Sequence, residues 1–241
     1  MTEVTKRVAL VTGANRGIGL ETARQLAERG FTVLLGSRDE RRGRQAAERL
    51  RGNGLSVEPV RLDVASDADR RSVSRMIEER FGRLDVLVNN AGVGSANSHA
   101  ATLADDELRA TFETNLFAVV ALTRELLPLI RKSAAGRIVN VSSQLGSLTL
   151  AAGGGFDAVT MAAYKTSKAA LNMYTLLLAR ELRDTPIKVN VVHPGWVKTE
   201  LGGEGAPMET PDGAKTSVRL ATLAASGPSG RFFHMNDELP W

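Results

Sequence analysis

Tyr164 and Lys168 stand four positions apart in a helix-like stretch, so both side chains lie on one helix face. A free phenol has a pKa of about 10 and exchanges protons poorly near neutrality. A lysine cation beside it favours the phenolate, lowers that value and brings proton exchange with an alcohol within reach. Alone, a Tyr-x-x-x-Lys pair is a weak signal, because such pairs arise by chance on helix surfaces. Ser143 follows the apolar run Ile138–Ser142, where its hydroxyl can hold a substrate oxygen. By itself a Ser-Ser pair after a strand is also an ordinary turn.

A second chemistry-bearing feature is Thr12-Gly13-Ala14-Asn15-Arg16-Gly17-Ile18-Gly19, between a strand-like run and a helix-like one. A strand turning tightly into a helix needs backbone conformations that a Cβ blocks, and a pyrophosphate must approach the main chain closely. The helix N-terminus then offers unpaired N–H groups and a positive dipole end. The spacing is Gly-x-x-x-Gly-x-Gly, and in this context it reads as a dinucleotide site. An acid at the end of the second strand would select NAD by accepting from the ribose hydroxyls. The sequence has Gly36-Ser37-Arg38 instead, and Arg38 and Arg16 can both reach a 2′-phosphate. The expected cofactor is therefore NADP(H). Asp39 is expected to cap the following helix.

These residues need elements to position them. Strand-like runs occur at Val8–Val11, Thr32–Gly36, Val57–Leu62, Val86–Val88, Ile138–Val141, Val189–Val192 and Arg231–His234. Helix-like segments at Ile18–Arg29, Asp67–Phe81, Asp105–Arg131, Ala162–Leu182 and Pro211–Ala224 separate most of them. Nearly all-apolar strands between helices predict a parallel sheet buried on both faces, and right-handed crossovers make it doubly wound. Gln144–Val159 and Trp196–Met208 resist assignment as core elements. Both follow strands, so both are expected at the carboxyl edge as pocket walls, the second as a mobile lid.

The chain has 241 residues and 43% apolar residues, enough for one ordinary α/β domain spanning 1–241. It has no cysteine, which excludes disulfides and thiolate chemistry and fits a reducing compartment. Three scattered histidines, His99, His193 and His234, argue against a metal site. No stretch approaches the roughly 20 apolar residues that cross a bilayer, and no signal peptide can be placed. A cytoplasmic, soluble protein is the expectation. The net charge of +4 raises the question of nucleic acid. The densest basic run, Arg38 to Arg51, mixes in Asp39, Glu40 and Glu48, as a solvated helix face does, and aromatic residues are too few for base stacking.

Together the motifs TGANRGIG (Thr12–Gly19), LDV (Leu62–Val64), NNAG (Asn89–Gly92), Asn115 in TNLFA, IVNVSSQLG (Ile138–Gly146), YKTSK (Tyr164–Lys168) and HPGWVKT (His193–Thr199) resemble the short-chain dehydrogenase/reductase family across essentially the whole chain. The ending GRFFHMNDELPW and HPGWVKTEL look most like its single-domain carbonyl reductases. The resemblance implies a Rossmann-type α/β fold with helices on both faces of a single doubly wound parallel sheet. It implies Asn115, Ser143, Tyr164 and Lys168 as the catalytic set. Ser143 would polarise the carbonyl, Tyr164 donate the proton, Lys168 bind the nicotinamide ribose and lower the tyrosine pKa, and Asn115 hold a water feeding Lys168. Ser143 is chosen over Ser142 because it stands three before Gly146, as the family pattern requires. Around the cofactor the resemblance places Gly13, Asn15, Arg16, Gly17, Ile18, Gly19, Ser37 and Arg38. Asp63 and Val64 would meet the adenine, and Asn89, Asn90, Ala91 and Gly92 would border the adenosine ribose. Pro194, Gly195 and Val197 would lie at the nicotinamide end, with Thr199 reaching its carboxamide. Ser143 and Tyr164 are 21 apart, a longer interval than in many members of the family.

The implied activity is NADPH-dependent reduction of a ketone or aldehyde. An acyl-thioester ketoreductase or a steroid-like alcohol dehydrogenase would share the same catalytic residues. A dinucleotide-sensing regulator is the reading outside catalysis, but such proteins usually lose the tyrosine or lysine. His193 and His99 read as structural or surface residues, and Trp196 and Phe156 as loop packing. A homodimer or homotetramer is expected on the helices Asp105–Arg131 and Ala162–Leu182, with Trp241 near a neighbouring subunit. The expected partner is a small carbonyl compound, without nucleic acid or membrane.

Overall fold

Along β1 (Val8–Val11) all four residues are buried, and successive side chains enter different cores. Val8 and Leu10 join one cluster, Ala9 and Val11 the other. This alternation is why the strand is apolar throughout: each face of the sheet is covered by helices. The computed structural model describes residues 6–241. Among them the strands form one sheet in the order β3-β2-β1-β4-β5-β6-β7-β8. They are β2 (Thr32–Ser37), β3 (Val57–Arg61), β4 (Val86–Asn89), β5 (Arg137–Val141), β6 (Lys188–Val192), β7 (Phe232–His234) and β8 (Asp237–Glu238).

One face is packed by α1 (Gly17–Glu28), α2 (Glu40–Gly52) and α8 (Thr210–Ala221), through residues such as Leu26, Ala47 and Val218. The other is packed by α3 (Asp67–Phe81), α5 (Ala118–Arg131) and α7 (Ala162–Glu181), through Ile77, Leu122 and Leu178. Local signals set the helix ends. Asp39 caps α2 by accepting from the Arg42 N–H, as expected, and Ser66 caps α3 by accepting from Asp69. Gly82 ends α3 with φ of +69°, a conformation that suits glycine.

The strand order reverses between β1 and β4, so a crevice opens above their carboxyl ends. The glycine turn, the Asn89–Gly92 segment, the Ser142-Ser143 turn and the His193–Thr199 segment all leave the sheet at that edge. Three features differ from the sequence reading. The sheet is not wholly parallel, because β8 pairs antiparallel with β7 through the two-residue turn Met235-Asn236. The stretch Asp105–Arg131 is not one α-helix: α4 (Asp105–Phe112) and α5 are joined by a π-helical turn at Glu113–Phe117. A short helix, α6 (Leu148–Ala152), lies inside Gln144–Val159. No described helix is long and apolar enough to cross a membrane.

Candidate active site

The glycine turn is a cradle that side chains would fill. Gly13 and Gly17 have φ of +62° and +56°. A Cβ on Gly19 would lie 2.4 Å from Asn90 Nδ2 and 2.5 Å from the Gly13 carbonyl. Asn90 Nδ2 donates to the carbonyls of Thr12 and Gly13, and Thr12 Oγ1 accepts from the N–H groups of Asn90 and Ala91. Turn and β4 edge are thus one hydrogen-bonded unit. Asn89 ties that unit to the sheet, donating to Asn140 Oδ1 and Thr123 Oγ1.

Above the turn runs a cleft of about 690 Å³, walled by Gly13, Asn15, Arg16, Gly17, Ile18 and Gly19, and further along by Arg38, Asp63, Val64, Asn90, Ala91, Gly92 and Thr199. Its volume and its backbone-rich floor suit an extended dinucleotide. Arg16 and Arg38 supply positive charge in the wall. Ser37 does not line the cleft; it is buried, and its hydroxyl donates to the Asp39 carbonyl. Pro194, Gly195 and Val197 also stand outside that wall. Gly195 packs against Met208 and His234, and Val197 bridges to Met208.

The four expected catalytic residues do not line that wall and are nearly closed to solvent: Asn115 is 0% exposed, Lys168 5%, Ser143 7% and Tyr164 9%. Ser143 Oγ accepts from the Leu145 N–H at 3.2 Å, and its hydroxyl acts to lower the Tyr164 pKa. Lys168 Nζ donates to the Val141 carbonyl at 2.9 Å and lies 5.5 Å from the centre of the Tyr164 ring. Gly92 joins the two regions: a Cβ there would meet Asn115 Oδ1 at 3.3 Å and Lys168 Nζ at 3.6 Å. Asn115, within the π turn, accepts from the Val93 N–H and donates to the Val93 carbonyl and Ser167 Oγ. A π turn at a functional residue is a common association.

Burial reverses one expectation. Tyr164 is not lowered; loss of solvent pushes it up to about 12, with the Ser143 hydrogen bond opposing. Lys168 is pushed down to about 8 by burial. His193 is pushed down to about 3, by burial and then by His234. His193 is thus a neutral buried residue whose ring stacks obliquely on His234 at 4.9 Å.

Trp196–Met208 closes on itself, with the Lys198 N–H donating to the Met208 carbonyl and Trp196 Nε1 to Gly202. It crosses the cleft, where Glu200 pairs with Arg16 and Leu201 fills the space over Gly94. Met161, which precedes α7, has φ of +24°, and Phe156 has +68°. Backbone strain of this kind concentrates where surrounding structure fixes a functional geometry. Thr12, Ser95, Ser167, Glu200 and Leu201 were not singled out by the sequence. Thr12 and Ser167 lie inside quoted motifs, so a signal was present; Ser95, which accepts from the Tyr164 N–H, carries none.

The model of the short chain dehydrogenase family matches residues 7–210. A short-chain dehydrogenase/reductase of Saponaria officinalis is 36% identical, over 98% of this chain and 96% of that protein. Carbonyl reductase 1 of Mus musculus, named for NADPH, is 33% identical, over 98% of this chain and 99% of that one. Among solved structures, the NADPH-bound carbonyl reductase from chicken fatty liver superposes with a TM-score of 0.86 at 27% identity, covering 99% of this chain and 100% of that one.

Proposed function

Because the chain belongs to the short-chain dehydrogenase family, we propose that it is an NADPH-dependent reductase that converts a ketone or aldehyde to an alcohol. The observation that carries this reading is the burial of Ser143, Tyr164 and Lys168 together, with Lys168 Nζ 5.5 Å from the Tyr164 ring centre, behind the Gly92 wall of a dinucleotide-sized cleft. When bound, the nicotinamide supplies the hydride.

The chain's own residues do the rest. Ser143 Oγ and Tyr164 Oη hold the substrate oxygen where negative charge develops, in a site nearly closed to solvent. A phenol at about 12 stays protonated at neutral pH, yet an alkoxide is more basic still, so Tyr164 gives up its proton readily. Lys168 at about 8 is mostly cationic near neutrality and stabilises the resulting phenolate. Asn115 Oδ1, which like Lys168 Nζ lies beside Gly92, has a lone pair to spare and would anchor the water that returns the proton. Gly13 to Gly19, Asp63, Val64 and Asn90 to Gly92 would hold the dinucleotide, with Thr199 at its carboxamide and Arg16 and Arg38 on the 2′-phosphate.

The exposed Phe117, in the π turn before α5, and Met173 and Leu177, on α7, favour a homodimer across α5 and α7. The lack of cysteine supports a cytoplasmic setting for a single domain of 1–241. Loss of nicotinamide absorbance with NADPH and then NADH, against a panel of ketones, aldehydes and quinones, tests the reading. Much faster consumption of NADPH is expected. A preference for NADH would overturn the roles given to Arg16 and Arg38. Tight binding without consumption of either would favour a sensor.

A further inference from the structure

The segment that carries Ser143 is gripped from two sides, and only one of them is the catalytic helix. On that side Gly146 lies so close to α7 that a Cβ would sit 2.7 Å from the Lys168 backbone, and Asn172 Nδ2 donates to the Gly146 carbonyl. On the other side stand Pro240 and Trp241. Ser147, 1% exposed, donates from Oγ to the Pro240 carbonyl at 2.8 Å while accepting from the Leu150 N–H. The Thr149 N–H donates to the Trp241 carbonyl at 2.8 Å. The Trp241 ring stacks on Phe232, with centroids 5.8 Å apart and planes 26° apart, and the Leu239 N–H donates to the Phe232 carbonyl. Phe232 is itself fully buried in β7 beside β6.

We propose that Pro240 and Trp241 are positioning residues for the reaction, a strap that carries the rigidity of β7 across to Ser147 and so fixes the Ser143 hydroxyl against Tyr164. The route is short. Ser147 follows Ser143 by one tight turn, closed by the hydrogen bonds Gly146 N–H to Ser143 carbonyl and Ser147 N–H to Gln144 carbonyl. The turn has little slack: Ser143 Oγ also accepts from the Leu145 N–H inside it. Within its own chain Trp241 already has a partner ring, Phe232. Pro240 and Trp241 do not touch the reacting atoms; they act through Ser147.

The inference rests on Ser143 being catalytic, so the experiment is a double-mutant cycle with kcat and KM separated. The proteins are wild type, Trp241→Ala, Ser143→Ala and the pair, with Trp241→Phe and Ser147→Ala as milder probes. Trp241→Ala is expected to lower kcat on the order of tenfold, from a small displacement of Ser143, with NADPH affinity by calorimetry unchanged. Trp241→Phe, which keeps a ring on Phe232, is expected to restore most of the rate. In the Ser143→Ala background Trp241→Ala is expected to cost almost nothing more, because the group it positions is gone. Equal losses in both backgrounds would overturn the proposal and leave Trp241 a stability residue. If Trp241→Ala fails to fold, Ser147→Ala carries the same cycle. If Ser143→Ala itself retains full turnover, the catalytic assignment fails first, which distinguishes the two failures.

Discussion

The dinucleotide cleft is floored by the glycine turn, walled by charged side chains such as Arg16, Arg38 and Lys198, and opens to solvent, whereas Ser143, Tyr164, Lys168 and Asn115 are buried, with Asn115 and Lys168 held by side-chain hydrogen bonds. In the cleft, tolerance is set by whether a Cβ can be accommodated; in the buried region it is set by whether each polar group keeps its partner. One region is built to admit and release a large charged ligand. The other is nearly closed to solvent, where, on the proposed reading, fixed donors would act on a developing charge. Substitutions should therefore separate, with cleft changes appearing in cofactor affinity and buried-site changes in turnover.

Tyr164→Phe gives the sharpest break. It removes the proposed proton donor while keeping the ring that packs beside Lys168, so turnover is expected to fall on the order of 10³-fold. NADPH affinity, by calorimetry, is expected to stay within a factor of about 3, because the phenol does not line the cleft. A parallel loss of affinity would mean that the two regions are not separable.

Two glycines test the same division from the backbone. A Cβ on Gly19 would strike Asn90 Nδ2 and the Gly13 carbonyl; one on Gly146 would strike the Lys168 backbone. Each alanine variant is expected to lose about 1–3 kcal/mol of stability by overpacking. In thermal melts they should look alike, and in kinetics they should diverge. Gly19→Ala is expected to raise the Kd for NADPH, and Gly146→Ala to lower kcat at saturating cofactor.

The pH profile is a milder test. Lys168 is pushed down to about 8, so reductase kcat/KM is expected to be flat below neutrality and to fall as pH rises through about 8. Stability should move the other way for this group. Its folded pKa lies below the ordinary lysine value, so the cost of burying the cation is present below about 8 and disappears as pH rises towards that ordinary value. Activity and stability measured together from pH 6 to about 10 should therefore diverge. A rate that follows stability downward would place the controlling group elsewhere.

How much of this was legible in the sequence follows the same division. The turn Gly13–Gly19 could be read because it is local: glycines, a strand before and a helix after. The bounds of α3, Asp67–Phe81, emerged unchanged because a serine cap and a terminal glycine mark them. Tyr164 and Lys168 were legible as a helical pair. What surrounds them was not, since Ser95 and Trp241 approach this region only across long chain separations. The π turn at Asn115 was hidden because five residues of helix-compatible sequence carry no sign of a changed hydrogen-bond pattern. The raised Tyr164 pKa was missed for a related reason: a neighbouring lysine can be read from spacing, but depth of burial cannot.

The smallest expected effect lies at the border between the regions. Glu200, in the segment that crosses the cleft, pairs with Arg16, and both residues are more than half exposed. If Arg16 serves the 2′-phosphate, the Glu200 carboxylate competes with the ligand for the same guanidinium. Glu200→Gln removes that competitor and one negative charge from the cleft wall. Exposed pairs of this kind contribute little, so NADPH affinity is expected to rise only about two- to fivefold at low salt. The gain should fade as salt is added, because the interaction is screened. NADH, which lacks the 2′-phosphate, should respond less. An equal gain for both cofactors would show that Glu200 repels the pyrophosphate in general, and the selectivity would then rest on Arg38 alone.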